Sequence, residues 1–144
     1  MNALPWPKLV IIESPYRATP HYSEEQHRLY LMHCIEFCVR QNEAPFASHL
    51  LLPEVLDDDD QFERAFGIRC GFAWGQHADL VAVFSDFGVS PGMTDAIEHW
   101  NKLGKRIEWR KLPDKVVRSI KQFGEFNPEE PPDESISYPS GAAV

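Results

Sequence analysis

"DLVAVFSDFGVSPGM", residues 79–93, decides the fold. Its first half is a short apolar run without polar alternation, the pattern of a strand buried on both faces. The run breaks at Asp86 and Gly88 and restarts at Ser90-Pro91, a helix N-cap followed by proline at the first helical position. A doubly buried strand that turns directly into a helix is one unit of a parallel sheet.

The same punctuation recurs on both sides. Upstream, "KLVIIES" (8–14) reads as a buried strand stopped by Ser14-Pro15. "SEEQHRLYLMHCIEFCVRQN" (23–42) reads as a helix, with Ser23 and Gln26 spaced as a capping box and Leu31, Cys34, Ile35 and Cys38 on one stripe. "APFASHLL" (44–51) reads as a second short strand, 52–60 as a loop, and 61–78 as a helix. Gly67, Gly71 and Gly75 share one face of that helix, where another element approaches closely. Downstream, 90–105 reads as a helix, 106–112 as a strand and 113–124 as a last helix.

Four strands alternating with four helices predict an α/β fold: a flavodoxin-like or Rossmann-like doubly wound parallel sheet of four to five strands, helices on both faces. Residues 1–124 form the expected single domain, and the proline-rich, acidic stretch 125–144 is expected to be a flexible tail. In a flavodoxin-like order the second strand lies outside the first and the third on its other side. The crevice then opens at the carboxyl ends of strands one and three, here "ESPYR" and "SDFGVSPG".

Composition narrows the ligand. A chain of 144 residues with 43% hydrophobic and 25% charged residues suits one globular domain with a proper core. The net charge of -8 argues against nucleic acid and anionic membrane as partners and leaves a small molecule. Three cysteines without a framework of spacings suggest reduced thiols and a cytoplasmic protein. Cys34 and Cys38 have no matching pair, so no metal site is expected, and no cofactor either. No apolar run reaches membrane-spanning length, and "MNALPWPK" lacks a signal-peptide core.

The candidate ligand contacts are Ser14, Tyr16, Arg17, His49, Asp86, Gly88, Ser90, Gly92 and Met93. Tyr16 offers a ring for stacking, Arg17 a guanidinium for an anion, and "SPGM" the free N–H groups of a helix start. Each has a plainer reading: a surface ion pair for Arg17, a backbone-bonded imidazole for His49, a turn and a cap for 86–92. The acidic run 57–60 reads as a solvated face, Arg64 and Arg69 as helix residues of which at least one meets solvent, and Trp74, Trp100 and Trp109 as core or interface.

"SPYR", "APFASHLLLPEVLDD" (44–58), "ERAFGIRCG" (63–71) and "SDFGVSPGM" (85–93), in that order, resemble a phage-rich family related to nucleoside 2-deoxyribosyltransferases. The resemblance spans about residues 8–112 and implies a flavodoxin-like fold and a homodimer or higher homo-oligomer. It further implies a nucleoside or nucleotide ligand, with Tyr16 positioning groups from the strand-one loop and Asp86 as the acidic loop residue. In the related enzymes a Glu in the first turn of the next helix attacks the anomeric carbon. Here that position falls on Ala96, and the base-side Asp position falls near Gly71. Asp95 and Glu98 point roughly 150° from the stripe of Met93, Ile97 and Trp100. The expected function is therefore a nucleoside- or nucleotide-binding protein that has lost its chemistry and sequesters its ligand, as in phage–host conflict. The alternative is an active N-glycosidic-bond enzyme with Asp95 or Glu98 as nucleophile and Asp86 assisting. A third reading, an interaction module, has the crevice filled by the protein's own side chains.

Overall fold

The computed structural model describes residues 3–123; the expected tail at 125–144 lies outside them. Four strands, β1 (Lys8–Glu13), β2 (Glu43–Phe46), β3 (Leu80–Phe84) and β4 (Ile107–Arg110), pair in parallel in the order β2-β1-β3-β4. This is the order expected of a flavodoxin-like sheet. Ile11 of β1 stands opposite Phe46 on one side and Val81 on the other. β3 is central and buried along its whole length, which is why its sequence shows no alternation.

Helices α1 (Glu24–Arg40) and α5 (Asp114–Gln122) cover one face; α3 (Gln61–Gly75) and α4 (Pro91–Lys102) cover the other. The first layer packs Tyr30, Leu31, Cys34, Cys38 and Ile120 on Val10, Ile12, Ala82 and Phe84. The second packs Met93, Ala96 and Trp100 on Ile11, Val81 and Val83. Sheet residues thus alternate between two cores, the signature of a doubly wound sheet. Ser23 and Gln26 form the capping box at α1, and Ser90 caps α4.

One element departs from expectation. The second strand stops at Phe46, and Ser48–Leu51 form a short helix, α2, followed by a 3₁₀ turn at Leu52–Glu54. A short apolar run cannot be told from a helical turn by periodicity alone. The glycines of α3 do mark a close approach, made by side chains. A Cβ at Gly71 would meet Ser48 and one at Gly75 would meet Trp100, while Gly67 faces Leu52 and Leu56. Trp100 is core, whereas Trp74 and Trp109 are exposed.

Candidate functional site

The carboxyl end of β1 delivers Ser14, Tyr16 and Arg17 to one edge of the sheet. Ser14 is buried, and its hydroxyl lies 2.8 Å from Nε2 of His49 in α2. Burial lowers the His49 imidazole to about 4, so it is neutral at physiological pH. The Tyr16 ring meets His49 edge-on at 6.3 Å, and its hydroxyl donates to Glu24 at 3.3 Å. Arg17 is engaged by the acidic run: Nε donates to the Asp58 carboxylate at 2.9 Å and Nη2 to the Asp58 carbonyl at 2.5 Å. Within the same run Asp60 caps α3, accepting from the N–H groups of Phe62 and Glu63. The acidic stretch is therefore a set of specific acceptors and not only a solvated face.

These contacts tie the loop after β1 to the segment after β2, and a hollow opens between them. Its outer part, about 530 Å³, is lined by Tyr16, Arg17, Glu24, Pro53 and the Asp57–Asp59 carboxylates. A narrower recess of about 80 Å³ shares Tyr16, Pro53, Leu56 and Asp58 with it and runs to His49, Arg64 and Gly67. The hollow thus sits beside the ends of β1 and β2 rather than β1 and β3. The physical reason is the pair of bonds Ser14–His49 and Arg17–Asp58, which draw the β1 loop towards β2.

The β3 loop is drawn the other way. Tyr30 donates to the Asp86 carboxylate at 2.6 Å, the Leu112 N–H donates to the same oxygen at 3.0 Å, and the Asp86 N–H donates back to the Tyr30 oxygen at 3.1 Å. Asp86 thus faces α1 and α5 and joins three segments there, away from the hollow. Gly88 has φ +87°, which only glycine adopts without strain. Ser90 accepts from the Met93 N–H at 3.2 Å, and Met93 is buried in the core. Gly92 faces the guanidinium of Arg64, which reaches across from the recess to the first turn of α4. Arg64 has no ion pair among the described residues.

Asp95 and Glu98 are exposed on the outer side of α4, and Glu98 pairs with Lys102 at 3.3 Å. Ala96 is buried against the sheet. The carboxyl that does enter this layer comes from β1. Glu13 shares the face of Ile11, and its Oε1 accepts the indole N–H of Trp100 at 2.9 Å. Burial raises its pKa to about 7, and the indole bond offsets only part of that rise. The signal for it was present in the sequence: an acidic residue ending a strand that is otherwise buried on both faces.

Chemically, the hollow combines one aromatic ring with several carboxylate acceptors. It suits a planar ligand that carries hydroxyl or amino donors, and its acidic wall disfavours phosphate. Among the described residues, no group of three or more His, Cys, Asp or Glu side chains could hold a metal ion, and no helix is long and apolar enough to cross a membrane.

No curated protein and no solved structure matches the chain. Residues 8–110 match a family described as "Domain of unknown function (DUF7768)". That span starts where β1 starts and ends where β4 ends, so the matched unit is the four-stranded sheet with its connections. The chain belongs to the DUF7768 family.

Proposed function

We propose that this chain binds a nucleoside in the hollow beside Tyr16. The observation that carries the reading is the lining: an aromatic ring at the carboxyl edge of a doubly wound sheet, facing the acceptors Glu24, Asp57 and Asp58. Ring stacking takes the base and the carboxylates take sugar hydroxyls. The same acids, with Arg17 already paired, favour an uncharged nucleoside over its phosphate. The resemblance to nucleoside 2-deoxyribosyltransferases supports the ligand class. Turnover by Asp95 or Glu98 is disfavoured, because both lie on the solvent side of α4.

Calorimetry with the common 2′-deoxynucleosides and their 5′-monophosphates tests this. Each nucleoside that binds is expected to bind more tightly than its monophosphate. Tyr16→Ala is expected to weaken binding about tenfold, the loss of one stacking contact. Absence of binding at millimolar concentration, or tighter binding of the phosphates, rules the reading out.

The chain also pairs with a second copy through α3. The glycine face of α3 is turned inward, and the helix leaves Phe62 80%, Phe66 58% and Trp74 67% exposed. Such side chains bury ~150–250 Å² each when covered. Their exposed fractions amount to roughly 300–500 Å², the apolar centre of an interface whose standard size is ~800 Å² per partner. Exposed Ala65, Cys70 and Ala73 leave gaps between the aromatics into which an antiparallel copy of the helix can pack. Sedimentation equilibrium is expected to give a dimer, and the double variant Phe62→Glu with Phe66→Glu a folded monomer. A wild-type monomer at ~100 μM, where a standard-sized interface would be populated, would refute the pairing.

A further inference from the structure

We propose that Arg64 reads the base in this hollow and selects a 6-oxopurine, guanine or hypoxanthine; the inference rests on the nucleoside reading above. The recess adjoins the ring that stacks the base, since Tyr16, Pro53, Leu56 and Asp58 line both the recess and the outer hollow. A base stacked on Tyr16 has the recess at one edge. Leu52, Leu56 and Ile68 wall that recess, and Gly67 puts no side chain into it, which leaves a slot for the rim of a flat ring.

Arg64 is the donor of the slot. It lines the recess and has no ion pair among the described residues, whereas Arg17 in the outer part is held by Asp58. The carboxylates on the same lining have other partners: Asp58 takes Arg17, and Glu63 accepts the Asp57 N–H. His49 is bonded to Ser14. A Cβ at Gly92 would lie 3.9 Å from Nη2 of Arg64, so the guanidinium stands at the first turn of α4. That turn holds no acidic residue, and its N–H groups carry the positive end of the helix dipole. Two kinds of donor thus share one spot, with no carboxylate pairing the guanidinium among the described residues. An acceptor brought by the ligand resolves that arrangement.

Charge and shape decide which acceptor. Asp58 and Glu63 line the recess too, so a phosphate entering it would face both carboxylates, while a neutral carbonyl meets the guanidinium without that repulsion. The recess is also narrow, about 80 Å³, and its apolar walls suit a ring edge rather than a hydrated dianion. The guanidinium N–H groups form a planar fork, and the adjacent O6 and N7 acceptors of guanine or hypoxanthine take both arms of it. Adenine turns an amino group towards the same fork, donor against donor, and keeps only N7. Thymine offers O4 alone, with a methyl group beside it.

Calorimetry with 2′-deoxyguanosine, 2′-deoxyinosine, 2′-deoxyadenosine, thymidine and 7-deaza-2′-deoxyguanosine tests the assignment. The two oxopurine nucleosides are expected to bind at least ~10-fold more tightly than 2′-deoxyadenosine and thymidine, the usual worth of one bidentate pair. The 7-deaza analogue, which lacks the N7 acceptor, is expected to lose about fivefold against 2′-deoxyguanosine. Arg64→Met keeps the stem and removes the fork; it is expected to abolish the preference and to hold 2′-deoxyadenosine within about threefold of wild type. Arg64→Lys keeps the charge without the fork and is expected to leave a preference below about threefold. The analogue series needs no variant, so it decides even where a substitution unfolds the chain. Equal binding of oxo- and aminopurine nucleosides by wild type overturns base reading by Arg64 and leaves nucleoside binding intact. An Arg64→Met protein that keeps the wild-type preference, or that weakens every nucleoside alike, does the same. Tighter binding of 2′-deoxyguanosine 5′-monophosphate than of its nucleoside, lost in Arg64→Met, makes the guanidinium a phosphate contact and overturns both readings. Absence of all binding at millimolar concentration also overturns both.

Discussion

Glu13→Gln will be more stable than wild type by about 3 kcal/mol at pH 8 and equal to it at pH 4, as read by urea unfolding. In the unfolded chain Glu13 ionises at its ordinary 4.5, whereas in the fold it holds its proton to about 7. Between those values the folded state binds more protons than the unfolded state. Stability from this group is therefore full below 4.5 and falls as pH rises towards 7. His49 has the opposite sign. Its folded value is about 4 against an ordinary 6.5, so the unfolded chain takes the extra proton and stability is lost as pH falls through that window. The two slopes oppose each other between about 4.5 and 6.5. Wild type is expected to show a flat profile there. Glu13→Gln removes one slope and leaves a protein that loses about 3 kcal/mol from pH 7 to pH 4. A variant whose stability follows the wild-type profile at every pH would mean that Glu13 is not buried as described.

The layering of this protein is written locally and was legible. Apolar runs ending in Ser-Pro or Asp-Phe-Gly, and caps at Ser23 and Ser90, need only a few neighbouring residues to be read. The strand order is one of the few arrangements that right-handed crossovers leave. What was not legible is which distant partner claims a polar group. Asp86 ends a strand as a ligand-binding acid would, yet Tyr30, 56 residues away, turns it into a joint between α1 and the segment before α5. For Arg17 an anion and a surface ion pair were both open, and Asp58 decides for the ion pair. Trp100, 87 residues from Glu13, determines that this carboxyl lies in a core rather than at a strand end like any other. Tyr16, Ser14 and His49 do share one site, but the pull of that same pairing moved the hollow from the β3 side to the β2 side.

The second large effect concerns Trp100 itself. A methyl at Gly75 would lie 2.1 Å from Cη2 of Trp100 and 2.9 Å from Cζ2 and Cζ3. Trp100 is 1% exposed, and the Phe72 ring meets it edge-on at 5.1 Å, so the indole has no free volume to retreat into. Gly75→Ala must shift α3 from α4 or turn the indole. Overpacking of this kind costs about 1–3 kcal/mol or more, against ~1 kcal/mol gained from helix propensity. The net expectation is destabilisation by up to about 2 kcal/mol. Gly67→Ala is the control on the same face of the same helix. Its nearest contact is an ordinary 3.5 Å to Leu56, so only the propensity gain of up to ~1 kcal/mol remains and stability should rise. The pair also separates packing from chemistry. Turning the indole removes the donor that holds the Glu13 pKa down, so in Gly75→Ala the Glu13 titration moves further up, while in Gly67→Ala it stays in place. Carbon-13 NMR of labelled glutamate follows that titration directly. Equal stability of the two variants would show that α3 and α4 are not in contact through Trp100, and with that the seat of Glu13 would be lost.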